Sequence, residues 1–448
     1  MLIRLTIENY LSYGAKTELN LLSGKIQKHN NHVVQSQSRS DVSLLRLGLI
    51  YGANGSGKSN LIKVLQYLKK LVTEGSKHEE LLEYKPNLLS VALQGKNSEI
   101  EVELRINGRN YAYGIVFNEK AILEEWLYEI TKKGETLVYE RVTNEKNIVD
   151  VTLGKPLLKN NKHKEYLKFV ALGTRPNQPY LTECNERNIK NALPELVYLT
   201  EPYQWFKEKL TIVQPETENA QPAIEMYLNS ASKEKIVEYL KRFDIGVSDI
   251  TVTQKDDKKE TDTQLVSEHI HTYANYSSLD ALDGVRQRAI HYVGTTSKGK
   301  KVQTLNLLHT GEKGSKPVQF ELEQESDGTK RLLNLLPLLI ESVKDEKVLI
   351  IDELDRSLHP TLAKEFVKLY LELSRATQSQ MIVTTHETGF LDLEEFRADE
   401  LWFVEKKNGQ TEFFSLTDFD VRFDKRIRKD YLLGRFGAVP NIKTEVQL

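Results

Sequence analysis

One cysteine, Cys184, is present in 448 residues. An internal disulfide framework and any Cys-x-x-Cys zinc site are therefore excluded, and the chain fits a reducing, cytoplasmic setting. No apolar run approaches the roughly 18–20 residues of a membrane-spanning helix, so no membrane contact is expected. The opening "MLIRLTIENYLSYG" lacks a basic leader, a long apolar core and a small-residue cleavage site, which argues against a signal peptide. A surplus of positive charge is also missing, with 62 basic against 64 acidic residues and a net charge of −2. Dedicated nucleic-acid binders usually carry such a surplus, so DNA contact is not favoured. The basic stretches 159–168, 297–301 and 422–435 are read as solvated surface. No repeat period is evident. At this length two or three lobes are expected rather than one core.

Alternation of apolar and polar residues predicts a first strand in "LIRLTIENY", paired with "KTELNLL". "SQSRSD" at 36–41 reads as a loop, and "LLRLGLIY" as a buried strand ending at glycine. "SNLIKVLQYLKKLV" has helical period. Asn107-Gly108 lies between two alternating runs and marks a hairpin, and "ILEEWLYEITKKGETLVYER" reads as another antiparallel pair. From 159 to 243 short amphipathic segments ("KEYLKFVAL", "PYQWFKEKL", "PAIEMYLNSA", "KEKIVEYLKRF") predict helices. The charged stretch 253–264 reads as a mobile loop. Strands return in "AIHYVG", "VQTLNLLH" and "PVQFELEQ". Helix, apolar strand "KVLIID", helix and strand "QMIVTTH" then follow, and this order requires parallel pairing. A last hairpin turns at Asn408-Gly409. The expected fold is α/β: a mixed sheet flanked by helices, with an antiparallel β subdomain and a helical insertion. The expected divisions are 1–155, 156–247 and 248–448.

Four motifs carry chemistry. Gly52-Ala-Asn54-Gly55-Ser-Gly57-Lys58-Ser59 satisfies G-x-x-x-x-G-K-[ST] and sits between a strand and a helix, as a phosphate cradle requires. Its backbone N–H groups and the helix dipole suit an anion. Lys58 is placed for β- and γ-phosphate oxygens, and the Ser59 hydroxyl for Mg2+. In "VLIIDELDRSLHP", Asp352 ends a core strand expected beside the P-loop strand, where it would hold Mg2+. Glu353 beside it would polarise an attacking water. His386 ends the strand expected next to that carboxylate strand, where it would sense the γ-phosphate. Ser326 and Gly328 in "ESDGT" precede a helix, so a hydroxyl, N–H groups and a helix dipole face one way; an N-cap is the simpler reading.

Taken in order, "GANGSGKSN", "SDGT", "LIIDELDRSLHP" and "TTH" resemble the ABC-type head of the SMC, RecF and OLD-like ATPases. More narrowly, the length, the hairpin strands "EIEVELRINGRNYAYGIVF" and the ending "YLLGRFGAVP" resemble stand-alone ATPase components of bacterial anti-phage abortive-infection systems of the AbiL and PARIS type. The resemblance implies ATP and Mg2+ as ligands. Gly52, Asn54, Gly55, Gly57, Lys58, Ser59 and Asn60 would line the nucleotide, and Ser59 and Asp352 would hold the metal. Glu353 and His386 would be catalytic. Ser326 and Gly328 would contact the γ-phosphate of a second subunit's nucleotide, and Asp355 would be the D-loop residue. No glutamine is placed for the metal beyond the positional Gln94, and Leu11 stands where coiled-coil repair members carry a basic residue. The segment after His386 reads as short for a fused Toprim nuclease and shows no DxD pair after a glutamate-ended strand, which argues against the OLD nuclease itself. The resemblance thus implies a homodimer, or a higher even-numbered oligomer. ATP would close it to control a separate effector, a Toprim-like nuclease or other toxin encoded nearby, with a phage protein as trigger. The alternative is a RecF- or SMC-like DNA clamp working in repair.

Overall fold

The computed structural model describes residues 1–36, 41–131, 133–158, 160–187, 189–215, 226–227, 229–256, 291–296, 299–312, 316–419 and 427–439. β1 (Leu2–Glu8) pairs antiparallel with β2 (Thr17–Asn20), Leu5 facing Leu19. β3 (Val33–Val34) and β4 (Leu44–Leu45) form a short ribbon, and β5 (Leu47–Gly52) is buried throughout. β6 (Ser98–Ile106) and β7 (Arg109–Phe117) make the hairpin expected at Asn107-Gly108, whose φ values of 50° and 74° suit a primed turn. β8 (Ile122–Thr131), β9 (Gly134–Thr143) and β10 (Val149–Leu153) complete a seven-stranded antiparallel sheet in the order β10-β9-β8-β7-β6-β1-β2.

The chain then forms helices Asn161–Gly173, Tyr180–Glu186, Ile189–Ala192 and Val197–Gln204, followed by a π-helical turn, Trp205–Lys209. β11 (Leu210–Val213) comes next, a strand where the sequence reading expected only helical segments. A second compact unit, Glu218–Ile340 with Ser357–Leu362, holds β12 (Val247–Asp256), β13 (His291–Thr296), β14 (Gly299–His309) and β15 (Val318–Glu321). These are antiparallel, with β14 pairing all three others. Helix Ser230–Arg242 lies in the same unit. The first unit resumes with β16 (Val348–Ile351), β17 (Gln380–Thr385), β18 (Leu401–Lys407) and β19 (Gln410–Ser415). Its mixed sheet runs β11-β16-β17-β5-β18-β19, parallel except for the terminal hairpin.

The α/β architecture is therefore the expected one, with differences in detail. The carboxylate strand β16 is not next to the P-loop strand β5, because β17 lies between them. The first compact unit comprises Met1–Thr217, Glu341–Arg356 and Ala363–Leu448. Thr253–Asp256, expected in a loop, ends β12. Residues 257–264 of that stretch, 37–40 of the "SQSRSD" loop and 222–225 and 228 of "PAIEMYLNSA" lie outside the described residues, as do 159, 297–298 and 422–426 of the basic stretches.

Helix Lys58–Glu74 buries Leu61, Leu65, Leu68 and Val72, and its Tyr67 stacks on Tyr10 at 5.5 Å. A helix apolar on several sides belongs between layers. Buried carboxylates attach the helical segments to the antiparallel sheet. Glu201 accepts from Arg109, Asn107 and the Tyr111 hydroxyl. Glu125, 1% exposed, accepts from the Tyr139 and Tyr113 hydroxyls and from the N–H groups of Tyr180 and Leu181 at a helix start. Arg141, fully buried, sits 3.9 Å away. Removing one member of such a set strands the others, at about 3–5 kcal/mol. We expect Glu125→Ala to lower the stability of the first unit by that order. Because Trp126, Trp205 and Trp402 all lie in this unit, urea denaturation followed by tryptophan fluorescence measures it.

Candidate nucleotide site

The P-loop leaves β5 at Gly52 and enters its helix at Lys58. Two glycines leave no room for a side chain. A Cβ on Gly52 would meet Ser56 Oγ at 2.4 Å and the Val404 carbonyl at 2.6 Å. Gly57, at φ 116°, would meet Thr411 Oγ1 at 2.4 Å and Ser12 Oγ at 2.8 Å. Asn54 and Gly55 form the exposed tip, and Ser59 is half-buried. The Lys58 ammonium is buried and donates to the carbonyls of Gly52 at 2.7 Å and Ala53 at 3.1 Å. Burial lowers its pKa, against the opposing pull of Asp352, Glu353 and Asp355.

Behind the loop is a polar brace. Asn60 Nδ2 and the Thr411 hydroxyl both donate to Ser12 Oγ, at 2.7 and 2.8 Å. Thr411 Oγ1 is also 2.8 Å from the Ser56 carbonyl. The Tyr13 hydroxyl donates to the Gly57 carbonyl at 3.0 Å. Asn87 donates to the carbonyls of Ser12 and Gly409. Asn60 is thus a scaffold residue of the loop. In the same turn Asn9 and Leu11 have φ of 49° and 54°, and Leu11 packs on the core. A leucine there offers no charge to a ligand.

The carboxylates stand at the C-terminal edge of the parallel strands. Asp352 is buried; its carboxylate accepts from the Thr384 hydroxyl at 2.5 Å, and its N–H donates to the Val213 carbonyl at 2.9 Å. Thr384 Oγ1 in turn accepts from the Glu353 N–H at 2.8 Å. Glu353 has φ 49°, so the chain turns sharply as it leaves the strand. The His386 N–H donates to the Asp355 carboxylate at 3.2 Å. The His386 ring is exposed at the surface, yet its pKa is lowered, first by partial desolvation and then by Lys58, with Asp355, Glu353 and Asp352 opposing. Lys58, Asp352, Glu353, Asp355 and His386 therefore share one electrostatic neighbourhood.

Ser326 and Gly328 belong to the second unit. Ser326 Oγ accepts from the Thr329 N–H at 3.1 Å and lies 2.9 Å from Thr329 Oγ1, so it caps helix Asp327–Lys344. A Cβ on Gly328 would meet the Ser357 carbonyl at 2.9 Å. Gln94 is exposed and follows the short turn Val91–Leu93. Gln214, which the sequence did not single out, follows β11 and donates through Nε2 to Gln66 Oε1 at 2.7 Å. Val213 pairs with Ile351, so the next residues, Gln214 and Asp352, leave neighbouring strands together. An apolar "LTIV" ending in glutamine was the available signal, hidden by the helices before it.

These residues fit a Mg2+-nucleotide. Ser56 Oγ is buried without a hydrogen-bond partner among the described residues, inside a loop whose glycines bring backbone close to an anion. No cluster of three or more His, Cys, Asp or Glu is present among the described residues. Ser59, Asp352 and Gln214 carry oxygen atoms of the kind that would hold Mg2+ beside substrate phosphates. Gly57→Ala should force the loop off Thr411 and Ser12 and weaken binding of a fluorescent ATP analogue at least ~100-fold, about 2.7 kcal/mol. Gly55→Ala, with nothing within 4 Å of its Cβ and only φ 76° to accommodate, should cost under ~10-fold.

Three solved structures are similar at low identity. The SMC head domain from Thermotoga maritima is 15% identical, covering 92% of this chain and 98% of its own, with a TM-score of 0.38. The SmcHead bound to the C-winged helix domain of ScpA is 13% identical, covering 92% and 97%, with a TM-score of 0.38. An Smc head domain with an extended coiled coil, bound to the C-terminal domain of ScpA derived from Pyrococcus furiosus, is 13% identical, covering 92% and 96%, at 0.34. Values this low transfer no function. No curated protein matches. A family model matches residues 49–153 and 169–392, which include the P-loop, the Ser326 segment, both carboxylates and His386. With most of its length matched, the chain belongs to that family, described as AAA domain, putative AbiEii toxin, Type IV TA system.

Proposed function

We propose that this protein is a Mg2+-dependent ABC-type ATPase that closes as a homodimer around ATP and thereby controls a protein effector, a nuclease or other toxin, in anti-phage defence. The observation that carries the reading is the meeting of Lys58, Asp352, Glu353, Asp355 and His386 at one sheet edge. Lys58 would neutralise the phosphates, and Ser59, Asp352 and Gln214 would hold Mg2+. Glu353, half-buried just past β16, would orient and deprotonate water. A largely neutral His386 at pH 7 suits a hydrogen-bonding sensor better than a fixed cation. Ser326 keeps donor capacity for a γ-phosphate when Thr329 Oγ1 supplies the proton between the two hydroxyls.

Control of an effector follows from differential binding: nucleotide shifts an open–closed equilibrium only by what it gains in the closed state. The family description, which includes a toxin–antitoxin system, supports this setting. The balanced charge counts against a DNA clamp.

Glu353→Gln should slow phosphate release at least ~100-fold while ATP-loaded protein accumulates. Unchanged turnover would remove Glu353 from the chemistry. Ser326→Arg should abolish the ATP-induced dimer in light scattering while each chain keeps its ATP affinity; an unaltered dimer would remove Ser326 from the partner's nucleotide.

A further inference from the structure

The opposite edge of the mixed sheet has its own concentration of charge. β11 and β16 begin side by side, Leu210 facing Val348, and around these ends lies a cavity of about 450 Å³. Lys69, Lys207, Lys209 and Lys347 line it, against two carboxylates, Glu208 and Asp345. Lys347 is committed to Glu341 at 2.6 Å and approaches Asp345 at 3.7 Å. The other three lysines have no carboxylate partner among the described residues. Lys69 donates to the Leu210 carbonyl at 2.5 Å, Lys209 to the Asp345 carbonyl at 2.6 Å, and Lys207 lies over the Tyr203 ring at 5.6 Å. At Lys69 and Lys209 a carbonyl dipole accepts one N–H and does not neutralise the charge.

We propose that this cavity is a second anion site, distinct from the P-loop, that takes a phosphate group carrying two negative charges. Three ammoniums converging on one cavity suit a compact dianion through charge-assisted bonds. The pKa of Lys69 is lowered by burial and by Lys347, with Glu74 opposing, which agrees with an ammonium lacking its counter-ion. The site is wired to the nucleotide edge by covalent structure. Lys69 lies on the helix that starts at Lys58, on the order of 16 Å along its axis. Lys347 precedes β16, which leads into Asp352, and Lys209 precedes β11, which leads into Gln214. A ligand here grips the roots of the elements whose tips form the nucleotide site.

The chemistry is shared by a free phosphorylated metabolite and by the 5′-phosphate of a nucleic-acid end. Full-length protein carrying Lys58→Ala, which silences the P-loop, would be titrated calorimetrically with sodium pyrophosphate. The same protein would be titrated with AMP and with an oligonucleotide bearing either a 5′-phosphate or a 5′-hydroxyl. Pyrophosphate or AMP should bind, and adding Lys69→Gln with Lys207→Gln should weaken binding at least tenfold. Preference for the 5′-phosphorylated oligonucleotide would assign the source to nucleic-acid ends, and preference for AMP to a free nucleotide. Circular dichroism checks folding. Should the multiple variant misfold, Lys207→Glu, at an exposed position, carries the same expectation. Absence of binding by every probe, or equal affinity after the lysines are changed, overturns the proposal. Because the P-loop is silenced throughout, neither result depends on the ATPase reading.

Discussion

The Thr384 hydroxyl is the contact on which the nucleotide edge depends. It donates to the Asp352 carboxylate and accepts from the Glu353 N–H, so one oxygen orients both acidic residues. A carboxylate as buried as Asp352 is costly unless its lone pairs are met by donors, and Thr384 meets one of them at fixed geometry. The contact requires β17 to lie beside β16. It also places β17, rather than β16, against the P-loop strand, with His386 just past the end of that interposed strand. From there His386 reaches Asp355 through its backbone N–H.

Around Gly57 the distant parts of the first unit converge. Ser12 comes from the turn after the first strand and Thr411 from the last hairpin, and both touch the space a side chain at Gly57 would fill. Asn87 bridges the same two turns through their carbonyls. The P-loop is therefore braced from three segments that are far apart in the chain. This accounts for an antiparallel subdomain and a terminal hairpin being built around so short a phosphate loop: a cradle made of backbone holds its shape only if the surrounding groups fix the dihedrals of its glycines.

The P-loop helix connects the two edges of the sheet. Its N-terminal lysine faces the carboxylates, and its Lys69 faces the lysine cavity. A helix packed along most of its surface moves as a rigid piece, so its ends are not independent. Charge is arranged oppositely at the two ends: acidic residues outnumber the lysine at one, and lysines outnumber the carboxylates at the other.

Much was legible from local pattern. The P-loop, Asp352, Glu353 and His386 announce themselves because a strand must be apolar to be buried and the chemistry sits just past its end. The turns at Asn107-Gly108 and Asn408-Gly409 are equally local, since few residues tolerate left-handed backbone. Ser326 showed itself as a cap because a serine hydroxyl just before a helix can accept a first-turn N–H. What the amino-acid order did not disclose is lateral. Four-residue β11 is too short to carry a period and stands behind helices, so Gln214 stayed hidden until pairing with β16 set it beside Asp352. The interposed strand β17, the Ser12–Thr411 brace and the lysine cavity are contacts between residues remote in sequence, and only the packing of strands against one another brings such residues within reach.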